Sequence, residues 1–282
     1  MKNNYNSKNT IPIEELRRIQ LNILKKVAAF CEENNITYYL YYGTLLGAVR
    51  HAGFIPWDDD IDICMFRKDY DTFFQKFNIN RKDDLCAVCC DSDNVSNYYV
   101  PIGKVYDKKT VLKEEISTNC VIGVNIDIFA LDNVPLSEIR QKMLFCSISF
   151  YKKLLFIKNS TYSKKLSLYK NAIIIFLRFL LFPIPIRLLT QKLNKIASLY
   201  QFDKSLKVAN LQFFLYTYRE IVLAEWFGEP IKIVFEGDYF NAPAMYHKIL
   251  EALYGDYMSL PPKEQQISRH FFNAYYITNK CV

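Results

Sequence analysis

Residues 38–65 read YYLYYGTLLGAVRHAGFIPWDDDIDICM, and this stretch decides the fold. The β-branched and aromatic run from Ile36 to Tyr42 predicts a strand, which a Gly-Thr pair ends before a short helical pattern begins. Residues Asp60 to Met65 alternate polar and apolar side chains, as a second strand does. Four aspartates fall within five positions, and carboxylates that close together repel one another unless a positive group lies among them. The four are Asp58, Asp59, Asp60 and Asp62.

Strand geometry sorts these aspartates into two groups. Side chains alternate across a strand, so Asp58, Asp60 and Asp62 share one face, whereas Asp59 points the other way. A later strand alternates Asp127 with apolar neighbours and brings a further carboxylate within reach. Converging carboxylates are the oxygen ligands that Mg²⁺ or Mn²⁺ accepts, with positions left for phosphate oxygens and water. The alternative is a solvated turn, which the apolar residues flanking Asp62 disfavour.

The Gly43-Thr44 pair is a candidate phosphate-binding turn. A strand, a glycine turn and a helix start together make a place where backbone N–H groups point toward an anion. Many such turns only connect two elements, so both interpretations stay open for this pair alone.

Composition excludes a disordered or disulfide-stapled chain. The chain has 282 residues, of which 51% are hydrophobic, enough for a substantial core. Its eight cysteines are unevenly spaced, and Cys86, Cys89 and Cys90 have no second set of ligands at zinc spacing. The polar residues 1–10 lack an apolar signal core. We therefore expect a reducing, cytoplasmic location.

The net charge of +7 is concentrated in one segment. Residues 139–202 contain twelve of the 36 Lys and Arg and no Asp or Glu, which leaves 24 basic against 29 acidic residues elsewhere. The apolar run from Ala172 to Ile186 is interrupted by Arg178, Pro183 and Pro185, so it is too short to span a bilayer. A basic, acid-free, apolar helical segment is typical of a membrane-surface helix. An ordinary helical subdomain with a solvated basic face is the alternative.

These motifs predict an α+β fold with a nucleotidyltransferase-like mixed sheet flanked by helices. A glycine turn before a helix, a strand with two aspartates and a third aspartate on a later strand follow one another as they do in that fold. We predict a catalytic core over residues 1–138, a helical, basic insertion over 139–202 and a part over 203–282 that completes the catalytic domain.

Several motifs resemble the LicD family and, more distantly, fukutin and fukutin-related protein. The longest is GTLLGAVRHAGFIPWDDDIDICM at 43–65. The resemblance continues in GKVYDKKTVL at 103–112, GVNIDIFALDNVP at 123–135, FEGDYFNAP at 235–243 and LYGDYMSLPP at 253–262. It covers nearly the whole chain outside the basic middle segment. One departure is that Ala130 follows Phe129 where the family often has proline.

The resemblance implies a phosphotransferase. The expected reaction moves a phospho-alcohol, foremost phosphocholine, from a CDP-activated donor such as CDP-choline to a hydroxyl of a cell-surface glycan or its lipid-linked precursor, and releases CMP. Such glycans include lipopolysaccharide, teichoic acid and capsule. The resemblance places the metal carboxylates at Asp60, Asp62 and Asp127, with Mg²⁺ or Mn²⁺ as the cofactor, and the phosphate-binding turn at Gly43 and Thr44.

Further residues near these motifs are candidates for substrate contacts. Asp58 or Asp127 can accept the acceptor proton. Arg50 and Lys104 are candidate phosphate contacts, with a salt bridge to the aspartates as the alternative. His51 and His270 are candidates for hydrogen bonding to substrate. Aromatic residues near the aspartates are candidates for a cage around a quaternary ammonium, although strand aromatics more often lie in the core. These aromatic residues are Trp57, Tyr41 and Tyr42.

Two other functions remain open at this point. A nucleotidyltransferase would use the same metal site but move the nucleotide and release pyrophosphate. A non-catalytic membrane-surface protein would carry the aspartates as structural residues. We expect a peripheral location at the inner face of the cytoplasmic membrane, with the donor, the glycan and the membrane surface as partners and no nucleic acid.

Overall fold

The protein has an α+β architecture, as predicted. A computed structural model describes residues 10–79, 81–92, 98, 100–114, 122–160, 167–200, 206–213, 217–268 and 272–277. The helices are α1 (Ile13–Glu33), α2 (Tyr42–His51), α3 (Arg67–Lys76), α4 (Glu138–Asn159), α5 (Leu168–Leu180), α6 (Ile186–Ala197) and α7 (Tyr246–Tyr254). The strands are β1 (Tyr39–Leu40), β2 (Asp62–Phe66), β3 (Leu85–Val88), β4 (Gly103–Asp107), β5 (Thr110–Glu114), β6 (Asn125–Asn133), β7 (Lys207–Ala209), β8 (Val222–Leu223), β9 (Ile231–Phe235), β10 (Asp238–Ala242) and β11 (Phe272–Tyr276).

A mixed sheet forms the centre of the fold. Its main path runs β1-β2-β6-β4-β3, and β7 extends β6 and pairs in turn with β8. Strands β2 and β6 are parallel, whereas the other neighbours on this path are antiparallel. Two antiparallel pairs, β9 with β10 and β5 with β11, complete the strands of the described residues.

The two faces of strands β2 and β6 have different surroundings. Ile63 and Ile128 are register partners and lie fully buried in the core that α1 and α3 help to form. One residue earlier, Asp62 and Asp127 are also register partners. Because successive side chains point to opposite faces, these two carboxylates turn away from the α1 side of the sheet.

Two predicted strands are shorter than the sequence indicates. The first is β1, which covers only two residues, because Tyr42 has a φ of +40° and begins helix α2. This left-handed backbone conformation is unfavourable for a bulky residue and turns the chain out of the strand. The second is β2, which begins at Asp62 and not at Asp60.

Residues 139–202 contribute three helices, which differ in how much of their surface is packed against the rest of the protein. Helices α4 and α6 contact each other and bury Ile148 and Leu193 with Val134 and Leu211. None of the α5 side chains that the structure describes belongs to this core. Among the described helices, none combines the length and the apolarity that a membrane-spanning segment needs. The division at 138 and 202 remains a prediction.

The C-terminal part packs against the longest motif, residues 43–65, which we call the signature motif. Strands β9 and β10 form a hairpin whose turn carries Glu236. The Glu236 backbone N–H donates to the Ala52 carbonyl over 2.9 Å, and its Oε1 accepts from the Phe54 N–H over 2.9 Å. A Cβ on Gly53 would lie 2.2 Å from Glu236 Oε1, so only glycine permits this close approach. The tail motif and the signature motif therefore pack as one unit.

Candidate active site

Asp62 and Asp127 form the centre of the candidate site. Each is the register partner of the other on the parallel strands β2 and β6, and both line one cavity of about 790 Å³. The Asp62 residue is only 7% exposed. Asp58 and Asp60, on the loop before β2, line the same cavity. The structure thus brings together the four carboxylates that were predicted for the site, namely Asp58, Asp60, Asp62 and Asp127.

Asp59 lies apart from that group, as strand parity predicts. Its Oδ2 accepts a hydrogen bond from the Ser268 hydroxyl over 2.9 Å, and its backbone carbonyl accepts one from the Gln20 side chain over 3.0 Å. Asp59 is buried but does not line the cavity. Its carboxylate belongs to the contact between the aspartate loop and the C-terminal tail.

Arg17 of α1 holds the aspartate loop in place. Its guanidinium group donates to the backbone carbonyls of Ile55, Pro56 and Asp58 over 3.3, 2.9 and 2.5 Å, and it stacks over the Phe54 ring. Carbonyl contacts fix the backbone without neutralising any carboxylate. Arg17 therefore orients the loop and leaves its negative charges in the cavity.

The electrostatics of the cavity centre on Asp62. Burial raises the pKa of the Asp62 carboxyl well above its usual range, and the negative charges of Asp60, Asp127 and Asp58 raise it further. The Lys104 ammonium group opposes this shift. A buried carboxyl with a raised pKa and several charged neighbours is typical of functional sites. Its surroundings favour a cation beside it.

Lys104 is a neighbour of Asp127. Its Nζ donates to Asp127 Oδ1 and, over 3.0 Å, to Asn125 Oδ1. Strand β4 places Lys104 directly opposite Asp127 in the antiparallel register. One ammonium group offsets only part of the charge of four carboxylates. The structure therefore shows the salt bridge that the sequence left as an alternative to phosphate binding.

Gly43 and Thr44 lie in the first turn of α2 at the edge of the cavity. Thr44 is buried, and its Oγ1 accepts the Asp62 N–H over 2.7 Å, which ties α2 to the start of β2. Gly43 lines the cavity, and a Cβ there would lie 2.6 Å from Asp58 Oδ2. Thr44 thus positions Asp62 through the backbone, and Gly43 leaves room for the Asp58 carboxylate.

Arg50 and Trp57 line the cavity, whereas His51 lies behind them. Arg50 Nε donates to His51 Nε2 over 3.0 Å, and Arg50 Nη1 donates to the Tyr257 carbonyl over 2.9 Å. The His51 and Trp57 rings meet edge to face at 6.3 Å. Burial and the Arg50 charge lower the pKa of His51, so its neutral form is favoured. His51 therefore supports the Arg50 and Trp57 side chains from behind.

The predicted aromatic cage differs from the observed arrangement. Tyr41 is buried in the core beside Phe129 and does not line the cavity. Tyr42 does line it, but its hydroxyl donates to Glu220 Oε2 over 2.8 Å and accepts from Asn210 Nδ2 over 3.1 Å. A cage that includes Tyr41 is therefore wrong, because core packing between β1 and α2 leaves this residue only 1% exposed.

The C-terminal part supplies a wall that sequence reasoning missed. The LYGDYMSLPP motif was recognised by resemblance, but nothing in its pattern placed it against the aspartates. Phe213 and Arg219 come from a segment with no recognised motif at all. His270 lies outside the described residues. The wall consists of Phe213, Arg219, Leu253, Tyr254, Asp256, Tyr257, Ser259, Pro261, Gln265 and Ile267.

The cavity has the donor chemistry for a divalent cation. Mg²⁺ and Mn²⁺ take carboxylate oxygens, and four aspartates converge here with one of them strongly disfavoured as a bare anion. Within the described ranges, no group of three or more His, Cys, Asp or Glu side chains is arranged so that it could hold a metal ion as it stands. Carboxylates without a cation between them repel one another. The donor atoms suit a divalent cation, which would have to draw these carboxylates closer together.

The cysteines that the structure describes do not form a site. Cys89 and Cys90 are buried, and their thiols contact Ser92 Oγ and Asp91 Oδ2 nearby in the chain. All six cysteines of the described part of the chain are free.

The fold and the cavity define a nucleotidyltransferase-type domain with an aspartate-lined site, and the comparisons with known proteins agree. Residues 35–129 match the family described as LicD/FKTN/FKRP, nucleotidyltransferase domain. The lipopolysaccharide cholinephosphotransferase LicD of Haemophilus influenzae is 31% identical over 286 residues, which cover 94% of this chain and 98% of that protein. The chain belongs to the LicD family, and the prediction of a LicD-like enzyme is confirmed.

Two shorter matches cover about a fifth of this chain or less. An uncharacterized protein of Rickettsia typhi is 45% identical over 58 residues, which are 20% of this chain and 19% of that protein. An uncharacterized protein of Rickettsia prowazekii is 49% identical over 47 residues, 17% of this chain and 18% of the other. These matches carry no information about substrate.

Proposed function

We propose that the protein transfers phosphocholine from CDP-choline to a hydroxyl of a cell-surface glycan or of its lipid-linked precursor, and releases CMP. The observation that carries this proposal is the register of Asp62 and Asp127, which puts two carboxylates side by side in a cavity that also holds Asp58 and Asp60. The similarity to the Haemophilus cholinephosphotransferase supports the choice of transferred group.

Asp60, Asp62 and Asp127 would hold Mg²⁺ or Mn²⁺. Such a metal, when bound, neutralises the diphosphate of the donor and the charge that develops during displacement at phosphorus. Buried Asp62 favours a strongly bound cation, because burial and its neighbours disfavour the free carboxylate. Lys104, through Asp127, keeps that carboxylate oriented toward the cavity.

Protein groups on either side of the aspartates would orient the two substrates. Arg50 and Arg219 line the cavity and would contact phosphate oxygens of the donor. In the reaction the glycan oxygen forms a new bond to the phosphorus that bears choline, and the bond from that phosphorus to the CMP oxygen breaks. The glycan proton passes to a carboxylate of the cavity, for which Asp58 and Asp127 are the candidates.

An aromatic part of the cavity would receive the choline group. Trp57, Tyr254 and Tyr257 line the cavity together with Asp256. A quaternary ammonium is bound by aromatic faces within about 6 Å, and a nearby carboxylate adds attraction. This subsite keeps Trp57 from the cage that the sequence predicted and has Tyr254 and Tyr257 in place of Tyr41 and Tyr42.

The test is a donor assay with purified full-length protein. CDP-choline, Mg²⁺ and a glycan acceptor are incubated with the wild type and with Asp60→Asn. Free CMP together with phosphocholine on the glycan is the expected result for the wild type, with neither product from the variant. A glycan that carries CMP, or pyrophosphate release from CTP and phosphocholine, would show instead that the protein moves the nucleotide. Parallel reactions with other CDP-alcohols test the choice of choline.

A further inference from the structure

We propose that helix α5 and the turn that follows it form a docking surface for an anionic lipid membrane. The docking surface consists of the exposed apolar side chains of this region, namely Ile173, Ile175, Phe176, Phe179, Leu180 and Phe182. This proposal concerns how the protein is held at a membrane and does not depend on which group it transfers.

The first observation is how little of α5 is covered. Phe176, Phe179 and Phe182 are 61%, 74% and 82% exposed. Among the α5 residues whose side chains are described, only Asn171 is buried. A contiguous exposed apolar patch marks an interaction site. A single helix of this length is also marginal in water without packing. The docking surface therefore requires a covering partner.

The second observation is the charge around the docking surface. Arg178 is exposed on α5 itself, and Lys192 and Lys195 are exposed on α6, the next helix along the chain. Residues 139–202 have twelve basic and no acidic residues. Apolar side chains interleaved with basic ones fit the boundary between acyl chains and anionic headgroups, where each cation near the surface adds to the attraction.

The same charge argues against a second copy of the chain as the partner. Face-to-face contact between two copies would bring two basic segments together with no acidic residue on either to pair them. Like charges at a desolvated contact oppose association. An anionic lipid surface has the complementary charge.

Length determines how α5 would lie. At a rise of about 1.5 Å per residue, its 13 residues extend roughly 20 Å, less than the bilayer core of about 30 Å. Proline residues at 183 and 185 end the apolar run. A short helix of this kind lies in the interface plane with its apolar side chains in the headgroup region.

The structure fixes the docking surface to the rest of the protein. Lys158 Nζ donates to the Leu181 carbonyl over 2.7 Å, and Arg178 Nη1 donates to the Ser160 carbonyl over 3.0 Å. These bonds hold the end of α5 against the end of α4.

Helix α4 also contacts the wall of the active-site cavity. Lys152 Nζ donates to the Phe213 carbonyl, and the Phe145 and Tyr218 rings meet edge to face at 5.4 Å. Phe213 lines the cavity, and so does Arg219, the residue that follows Tyr218. One helix therefore supports both the docking surface and the cavity wall, an arrangement suited to an acceptor that is itself held in a membrane.

The test is vesicle flotation of the purified full-length protein. One vesicle preparation is phosphatidylcholine alone, and the other is phosphatidylglycerol and phosphatidylcholine in equal parts, each at low and high salt. We expect the wild type to float with the anionic vesicles at low salt, and less with neutral vesicles or at high salt. The Phe176→Glu/Phe179→Glu variant should lose roughly tenfold or more of this binding, because it replaces two inserted rings with anions.

A matched control is Tyr239→Glu, a charge substitution at a residue that is 68% exposed on β10, outside the docking surface. It should bind vesicles as the wild type does, and circular dichroism should show that both variants are folded. The proposal is overturned if the wild type does not float with anionic vesicles, or if the double variant floats equally well. A wild-type dimer that the double variant converts to monomers in sedimentation equilibrium would also overturn it, in favour of a second copy.

Discussion

Asp62 on β2 and Asp127 on β6 are direct neighbours across a parallel strand pair, although 65 positions separate them in the chain. Burial of Asp62 beside Asp127 and the loop aspartates raises the pKa of its carboxyl. Two adjacent carboxylates, one of them buried, destabilise the folded state when no cation lies between them. The adjacent carboxylates explain both the expected activity and a local cost in stability.

Asp62→Asn should remove activity and stabilise the metal-free protein. The neutral amide ends the repulsion with Asp60 and Asp127, so we expect the free energy of unfolding without metal to rise by about 1 kcal/mol. Loss of a metal-binding carboxylate should lower turnover by roughly a thousandfold. Chemical denaturation in EDTA and the CDP-choline assay measure the two effects.

Asp59→Asn is the matched control, since Asp59 does not line the cavity. It should keep turnover within a few-fold of the wild type. An Asp59→Asn variant as inactive as Asp62→Asn would contradict the assignment of roles among the aspartates.

Mg²⁺ should stabilise the wild type against heat. A ligand that binds only the folded state stabilises it by about 1.4 kcal/mol at ten times its Kd, which for this chain length raises Tm by roughly 2–4 °C per kcal/mol. The Asp62→Asn and Asp127→Asn variants should show no such rise. Differential scanning calorimetry with and without Mg²⁺ measures it, and an equal rise in all three proteins would place the metal elsewhere.

Gly43→Ala should impair activity without unfolding the protein. The new Cβ would lie 2.6 Å from Asp58 Oδ2, so the Asp58 carboxylate must move, whereas the helix itself favours alanine over glycine by about 1 kcal/mol. We expect turnover to fall roughly tenfold or more while Tm changes little.

Gly47→Ala is the informative comparison on the same helix. Its Cβ would lie 2.4 Å from the Gly53 carbonyl oxygen, a backbone atom that cannot move aside. This variant should lose stability by roughly 1–3 kcal/mol. If Gly43→Ala destabilised the protein as much as Gly47→Ala, the role of Gly43 would be structural and not functional.

Trp57→Ala should weaken donor binding more than chemistry. Removal of an aromatic face from a quaternary ammonium costs about 1–2 kcal/mol, so we expect the KM for CDP-choline to rise roughly tenfold. Trp57→Phe should recover part of that loss, because it retains an aromatic face. Steady-state kinetics separate KM from kcat, and unchanged KM values in both variants would exclude Trp57 from the choline subsite.

Asp132→Asn should destabilise the protein away from the active site. Arg67 and Asp132 form two parallel hydrogen bonds of 2.7 Å each, and the Asp132 side chain is 1% exposed. Asp132→Asn removes the closest carboxylate from the largely buried Arg67 guanidinium, and the 3.5 Å contact to exposed Asp71 compensates only weakly, so we expect a loss of about 3 kcal/mol. Urea denaturation measures this loss, and Asp71→Asn on the exposed side of Arg67 is the control that should change stability by less than about 1 kcal/mol.

The local sequence pattern predicted much of the fold, because the periodicity of a strand or helix is visible in residues that are close together in the chain. The alternation assumed around Asp62 separated Asp59 from the other aspartates as observed, although Asp58, Asp59 and Asp60 lie in the loop before β2. Element ends were predicted less well, since Tyr42 enters α2 through a left-handed backbone that no periodicity indicates. The role of Thr44 was also hidden, because its hydrogen bond partner is the backbone of Asp62 on another element.

The sequence by itself determined the family, the set of carboxylates and the basic, acid-free character of residues 139–202, because motif, strand parity and composition are properties of nearby residues. Only the tertiary structure decided that Asp127 lies beside Asp62, that Lys104 contacts Asp127, and that Arg219 and Tyr257 line the same cavity. Those arrangements depend on the pairing of β2 with β6 and on the packing of the tail against the signature motif. Contacts between distant segments arise from burial of the shared core, which no local pattern records.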